Sequence, residues 1–207
     1  MAKHPENHLA SAAIALGRDY RYEEKHCSHV ADLALSLFDQ LKALHRLETK
    51  HRQWLAAAAI LHDIGWTRGQ QKHHKTSCAL IIRSRKLPLP RKDRVIIGLI
   101  ARYHRKSLPK SSHKYFAELD PKSRDVVTRL AAFLRLADGL DRTHLSSVEQ
   151  IVCGVTAKRI DLEIKGKRVA QIDVKIGKEK SDMLKVVFQK NLRFSAPSGL
   201  THQINCP

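Results

Sequence analysis

Four side chains in this sequence could together hold a metal ion: His29, His62, Asp63 and Asp138. His62 and Asp63 close an apolar run in which Leu55, Ala58, Ala59 and His62 share one helical face. That face points into a core where neither side chain belongs unpaired. Asp138 follows Val127, Leu130, Ala131 and Leu134 on one apolar stripe. A carboxylate buried without a partner costs several kcal/mol, so it must be paired, protonated or bound to a cation. His29 stands next to the apolar stripe of a third helix and four residues before Leu33, so its imidazole can also face inward. Two imidazoles and two carboxylates, with positions left for water and substrate, suit divalent Mn, Fe, Co, Ni or Zn, while Mg prefers more oxygen. Such an ion makes water nucleophilic at neutral pH and polarises a phosphoryl oxygen.

The elements that must position these groups are mostly helices. The first convincing one follows Tyr20, with Val30, Leu33, Leu37, Leu41 and Leu44 at helical spacing. His51 to Asp63 is an alanine-rich central helix, stopped at Ile64-Gly65. A third runs from about His74 to Leu87 and ends before Pro88-Leu89-Pro90, because proline disfavours helical geometry in the residue before it. A fourth carries Val95, Ile96, Leu99 and Ile100 into Arg102-Tyr103-His104-Arg105, and Ser107 to Ser112 reads as a polar loop. Asp120 as N-cap and Pro121 at the first helical position open a long helix to about Leu140. After Val148 the period changes: Ile151 to Val155, Arg159 to Lys165 and Val169 to Ile176 predict a small antiparallel sheet. Asp182 to Leu192 predicts a short helix against it. The expected architecture is therefore mainly α, a helical bundle over 1–146, a small α+β appendage over 147–195 and a tail over 196–207.

Composition narrows the function classes. The net charge is +18, and Lys72 to Lys114 holds 13 Lys or Arg residues against one acid, Asp93. Such a field favours polyanions: polyphosphate, an anionic nucleotide, nucleic acid or an acidic membrane surface. Only 5% of residues are aromatic and no nucleic-acid-binding motif is present, so nucleic acid ranks below a phosphorylated small molecule or polyphosphate as the expected partner. Tyr20, Tyr22 and Tyr103 are scattered in sequence and predict no stacking platform. The longest apolar stretch, Trp54 to Leu61, is far short of the roughly 20 residues that cross a bilayer. Met1 to Ala10 has no secretory pattern, and Cys27, Cys78, Cys153 and Cys206 have no C-x-x-C spacing. A cytoplasmic protein is expected, with a homodimer left open.

The succession His29, His62-Asp63 and Asp138, the last inside Leu136-Ala137-Asp138-Gly139-Leu140-Asp141, resembles the H…HD…D pattern of the HD phosphohydrolase superfamily. The segments Ala59 to Gly65, His74-Lys75-x-Ser77, Ala101 to Arg105, Leu134 to Asp141 and Asp182-Met183-Leu184 through Phe194 are similar to the C-terminal HD region of exopolyphosphatase/guanosine pentaphosphate phosphohydrolases. The likeness covers roughly Tyr20 to Phe194. It implies a helical HD fold, a bound metal and a phosphorylated substrate. That family's N-terminal actin-like ATPase-type domains, which carry its polyphosphate hydrolysis site, are not in this sequence. Where the family often shows His-Arg/Lys-His, His74-Lys75-Thr76 stands here, so one ion is expected.

His74 and His104 are candidates for a second metal or for phosphate. Lys75, Arg102, Arg105 and Lys106 beside them could hold phosphate oxygens. His73 is divided evenly between ligation and a supporting or surface place. His4, His8, His26, His45, His51, His113, His144 and His202 are expected at the surface. The enzyme reading gives His62 and Asp63 the catalytic role, with Asp63 or a nearby histidine positioning or deprotonating water. The alternative is a non-catalytic accessory module that binds polyphosphate, nucleotide or RNA through the basic segment.

Overall fold

The computed structural model describes residues 6–196. His4, Cys206, His202 and the expected tail beyond Ala196 lie outside them. The helices in chain order are α1 (Glu6–Asp19), α2 (Glu24–Gln40), α3 (Lys42–His45), α4 (Thr49–Leu61), α5 (His73–Arg83), α6 (Arg91–Arg102), α7 (Lys114–Ala117), α8 (Pro121–Gly139), α9 (Gln171–Lys180) and α10 (Asp182–Phe188). A 3-10 turn over Ile64–Arg68 joins α4 to α5. The strands are β1 (Gln150–Val155), β2 (Arg159–Lys165) and β3 (Asn191–Ser195). The fold is mainly α with a small C-terminal α+β part, as the periodicity predicts.

Helix α4 is the centre of the bundle. Leu55, Ala57, Ala58, Ala59 and Leu61 are all fully buried, because α1, α2, α6 and α8 pack around it. Alanine allows that close approach and has the best helix propensity, so it serves both needs. Helix α8 begins as expected: Asp120 Oδ1 accepts a 2.9 Å bond from the Ser123 N–H, and Pro121 occupies the first turn, where its missing N–H has no partner to lose. No helix among the described residues is long and apolar enough to cross a membrane.

Three expectations are corrected. Helix α1 precedes the first helix read from the pattern, burying Leu9, Ala13 and Leu16 at i, i+4 and i+7. The small alanine makes that stripe faint. Residues 169–176 are not a strand, since most of them belong to α9. The alternating Ile172, Val174 and Ile176 do not share a buried face, and Ile172 is 45% exposed. What fixes the helix is Asp173, fully buried, whose carboxylate accepts from the Thr143 N–H at 2.8 Å, Thr143 Oγ1 at 2.9 Å and Ser147 Oγ at 2.6 Å. The sheet is also not wholly antiparallel: β1 and β2 are antiparallel, with Ile151 opposite Ile164, but β3 runs parallel to β2, with Phe194 opposite Leu162. The return through α9 and α10 is long enough to bring the chain back in that sense.

The appendage shares the bundle's apolar core. Ile160, Leu162 and Ile164 alternate inward on β2, and they join a core continuous with α2 and α8. The Gln40 amide ties α2 to β1, donating to the Ile151 carbonyl at 2.7 Å and accepting from the Cys153 N–H at 2.9 Å. Helix α9 lies close on α8 because Gly177 has no side chain: a Cβ there would stand 2.5 Å from Leu140 Cδ2. That close crossing carries the last residue of α9, Lys180, to the end of α8.

Candidate metal centre

Two three-residue groups of His and Asp face each other near one set of helix ends. His26 of α2, His62 at the end of α4 and Asp138 of α8 form the first. Asp63, His73 at the start of α5 and His104 just past α6 form the second. In each group the ligand atoms lie within 4.8 Å of one another. His26 Nε2 and His62 Nε2 are 3.7 and 3.6 Å from Asp138 Oδ1. Asp63 faces both groups: its Oδ2 is 3.6 Å from His62 Nε2, and its Oδ1 is 3.1 Å from His73 Nε2 and 3.7 Å from His104 Nε2.

The other ring nitrogen decides which atom each histidine can offer. His62, His73 and His104 set Nδ1 against the carbonyls of Ala59, Gln70 and Ala101, at 2.6, 2.9 and 2.5 Å. His26 sets Nδ1 against Asp141 Oδ2 at 2.8 Å. Carbonyl and carboxylate oxygens only accept, so all four Nδ1 atoms donate, and in the neutral ring each Nε2 keeps a lone pair; against their burial, the neighbouring carboxylates raise the His26 and His62 imidazoles, so at these two a cation would take the place of a proton. His73 and His104 bring their Nε2 atoms within 3.3 Å, with Arg105 Nη1 3.4 Å from His73 Nε2, an arrangement that a cation or a proton between the rings relieves. His26 Nε2, His62 Nε2 and Asp63 Oδ1 are buried without a hydrogen-bond partner among the described residues. Buried polar atoms are normally satisfied, so this convergence of unsatisfied atoms fits a bound cation. Two imidazoles and one carboxylate per group suit a borderline transition ion.

Asp141 is fully buried and accepts a second bond, 2.8 Å from the Ser146 N–H. It is the carboxylate that orients His26, an arrangement that recurs behind metal-ligating histidines. We expect Asp141→Asn to weaken metal affinity about 10–100-fold, as loss of such a partner does elsewhere. Equilibrium dialysis against a metal-buffered solution reads this directly, and unchanged affinity would remove Asp141 from the site.

Charge shapes the site further. Burial alone would raise the Asp138 carboxyl, but the Lys180 ammonium first, then His26 and His62, hold it well below the usual carboxylate range. Asp63 is likewise lowered against its burial, chiefly by His62. Burial pushes the His104 imidazole down to about 3, so it is neutral and able to act as a ligand at pH 7. Lys180 pairs directly with Asp138 Oδ2. The ammonium and a divalent cation compete for one carboxylate, so Lys180→Met should raise metal affinity, by roughly tenfold for a partly exposed pair. Calorimetric titration of both proteins tests this, and equal affinities would show that Lys180 and the ion do not compete.

A cleft of about 320 Å³ opens on the two groups, lined by Asp63, Asp138, His73 and His104 and by the cations Arg105, Arg142 and Lys180. Trp66, 44% exposed, stacks on His73 with ring centres 4.9 Å apart. On another side of Asp63 a recess of about 240 Å³ is lined by Tyr20, Tyr22, Trp66 and His144.

The residues expected from sequence divide as follows. His62, Asp63, Asp138 and His104 come together. His29 lies in neither group, and His26, one turn earlier, faces Asp138 instead. Both histidines precede an inward residue by four, Val30 and Leu33, so helical spacing does not choose between them. His73, rather than its neighbour His74, joins Asp63. His26, His45 and His51 are buried rather than at the surface, and His144 stacks on His26 with ring centres 3.8 Å apart. His45 is satisfied by the Phe38 carbonyl at 2.7 Å, and His51 accepts from the Glu48 N–H at 2.9 Å. Arg105 reaches the cleft, whereas Lys75, Arg102, Lys106 and His74 line a neighbouring one. Lys180 and Arg142 were not anticipated, and nothing in the local sequence marks either of them. Tyr20 and Tyr22, scattered in sequence, meet Trp66 in space.

Fold and site define a mainly α protein with buried His/Asp groups able to hold a metal ion beside a cleft lined by both cations and carboxylates. The model of the family Ppx/GppA phosphatase, domain III, matches residues 10–186, and the chain belongs to that family. No curated protein matches the chain.

Proposed function

We propose that this protein is a metal-dependent phosphohydrolase of the HD type, acting on a phosphorylated anion in the cleft over Asp63 and Asp138. The observation that carries the reading is Asp63, whose two oxygens face two separate His groups beneath three cationic side chains. His26, His62 and Asp138 would hold one divalent ion, and Asp63, His73 and His104 a second; Mn, Fe, Co, Ni and Zn suit both sets better than Mg. When bound, such an ion polarises a phosphoryl oxygen and acidifies water.

The chain's own residues supply the rest. Arg105, Arg142 and Lys180 take phosphate oxygens and offset charge that builds as the phosphorus–oxygen bond breaks. Asp63, whose carboxylate sits between the two groups, is placed to help position the attacking water. Trp66 and Ile176 form an apolar part of the cleft wall and limit competing water. The recess lined by Tyr20, Tyr22, Trp66 and His144 puts aromatic side chains beside Asp63, which favours nucleoside phosphates and guanosine polyphosphates over inorganic polyphosphate. The accessory-module reading draws its support from the basic segment. It predicts anion binding that survives when turnover is abolished.

The test is metal content of the purified protein together with phosphate release from nucleoside mono-, di- and triphosphates, guanosine polyphosphates and polyphosphate. Wild type should carry metal and release phosphate, and His62→Ala with Asp63→Ala should do neither. Wild-type protein that takes up no metal and releases no phosphate would defeat the enzyme reading.

A further inference from the structure

Beyond Arg105 a second cleft, of about 250 Å³, opens between the start of α5 and the loop after α6. Five cationic side chains line it: Lys72, Lys75, Arg102, Arg105 and Lys106. No carboxylate lines it, and none of the five is ion-paired among the described residues. Like charges gathered without a counter-ion repel one another, and the ordinary relief, an acidic neighbour, is missing here. The wall also contains His74, only 6% exposed, whose Nδ1 is buried without a hydrogen-bond partner among the described residues. His113 is held beside it, its Nδ1 accepting from Tyr103 Oη at 2.8 Å, so that part of the wall is fixed rather than free to rotate. Lys106 takes the left-handed backbone conformation, φ +61°, which turns the chain sharply at the rim.

A cationic cleft with a buried unsatisfied imidazole nitrogen in its wall is suited to a small, multiply charged ion that accepts many hydrogen bonds. Guanidinium groups bind tetrahedral oxyanions through paired N–H donors, while the lysines supply charge. His74 belongs to neither His/Asp group, so the cleft needs no metal in order to bind. Its volume suits one or two phosphoryl groups and leaves no room for a folded polymer.

We propose that this cleft is an oxyanion site separate from the metal centre, which takes one phosphate group, either free inorganic phosphate or the end of a longer phosphoanhydride chain. The site does not depend on hydrolysis at the metal centre. Through Arg105, which lines both clefts, it can hold a phosphate next to that centre.

The test is calorimetric titration of inorganic phosphate, and separately of tripolyphosphate, into the full chain at about 0.15 M salt, where diffuse surface attraction is largely screened. The proteins compared are wild type, Lys75→Ala with Arg102→Ala, His62→Ala, and an exposed-lysine control, Lys42→Ala with Lys185→Ala. We expect a phosphate site in this cleft whose affinity falls at least tenfold in the cleft variant and is retained in His62→Ala and in the control, whatever phosphate the metal centre itself takes. Tripolyphosphate binding much more tightly than phosphate would identify a chain end as the ligand, and equal affinities would identify free phosphate. The cleft variant should keep the wild-type metal content. Phosphate affinity that is unchanged in the cleft variant, falls equally in the lysine control or disappears in His62→Ala would overturn the proposal. The metal reading fails differently, by loss of metal uptake in the wild type.

Discussion

Asp63→Asn should strip metal from both His groups at once, lowering affinity by on the order of 100-fold or more, since a ligand matters more than the partners behind it. The substitution keeps the shape of the side chain and removes only its charge. It leaves an amide that can donate to His62, His73 or His104, so the fold should survive. Asp63 is the one carboxylate within 3.7 Å of three imidazole Nε2 atoms, one in the first group and two in the second. Asp138→Asn should act more narrowly, on His26 and His62 alone. Metal analysis after dialysis, alongside circular dichroism, separates the two effects. An Asp63→Asn protein that keeps its full metal complement would show that Asp63 does not join the groups, and the site would have to be rebuilt around Asp138.

Gly65→Ala should be the most disruptive added methyl among the described glycines. A Cβ at that position would lie 2.2 Å from the His73 carbonyl oxygen and 2.7 Å from the Ser77 backbone nitrogen. Both are backbone atoms and cannot swing aside. Gly65 also donates its N–H to Ser77 Oγ at 2.9 Å, which pins the turn after His62-Asp63 against the first turns of α5. The added methyl forces these apart, at a cost of about 2–4 kcal/mol, at and above the upper end of ordinary overpacking because both obstacles are backbone. For a chain of this size that lowers the melting temperature by about 4–16 °C. The displacement falls on His73, so metal should be lost first from the Asp63, His73 and His104 group. Gly154→Ala is the control: its Cβ would meet nothing closer than 3.6 Å, and stability should barely change. Equal melting temperatures for Gly65→Ala and wild type would mean that the turn and α5 are not in contact as described.

The helical character and most of the bundle were legible in the sequence, because helices α2, α4, α5, α6 and α8 each carry an apolar stripe long enough to reveal its period. The cap at Asp120-Pro121 was legible for a local reason too, since the side chain bonds its own first turn. His62, Asp63 and Asp138 stood out because a charged or polar group on an apolar stripe is costly without a partner. Nothing local could choose His26 over His29, since both satisfy the same i, i+4 spacing on α2. The choice was made by Asp141 and Asp138, which arrive from more than 100 residues away. His73 and His74 are adjacent, so they necessarily point in different directions. Which of them meets Asp63 depends on how Gly65 seats the turn on α5. Lys180 reached the centre only because Gly177 lets α9 cross close over α8.

The sequence by itself determined that this chain forms helices, that His62 and Asp138 would face inward and need a partner, a proton or a cation, and that its basic segment would favour anions. Those are properties of local period, side-chain chemistry and summed charge. Only the tertiary structure decided that two His groups share one aspartate, that Arg105 divides two clefts and that scattered tyrosines meet a tryptophan beside the centre. Those facts depend on which helix ends converge, and convergence is set by close packing between residues far apart in the chain.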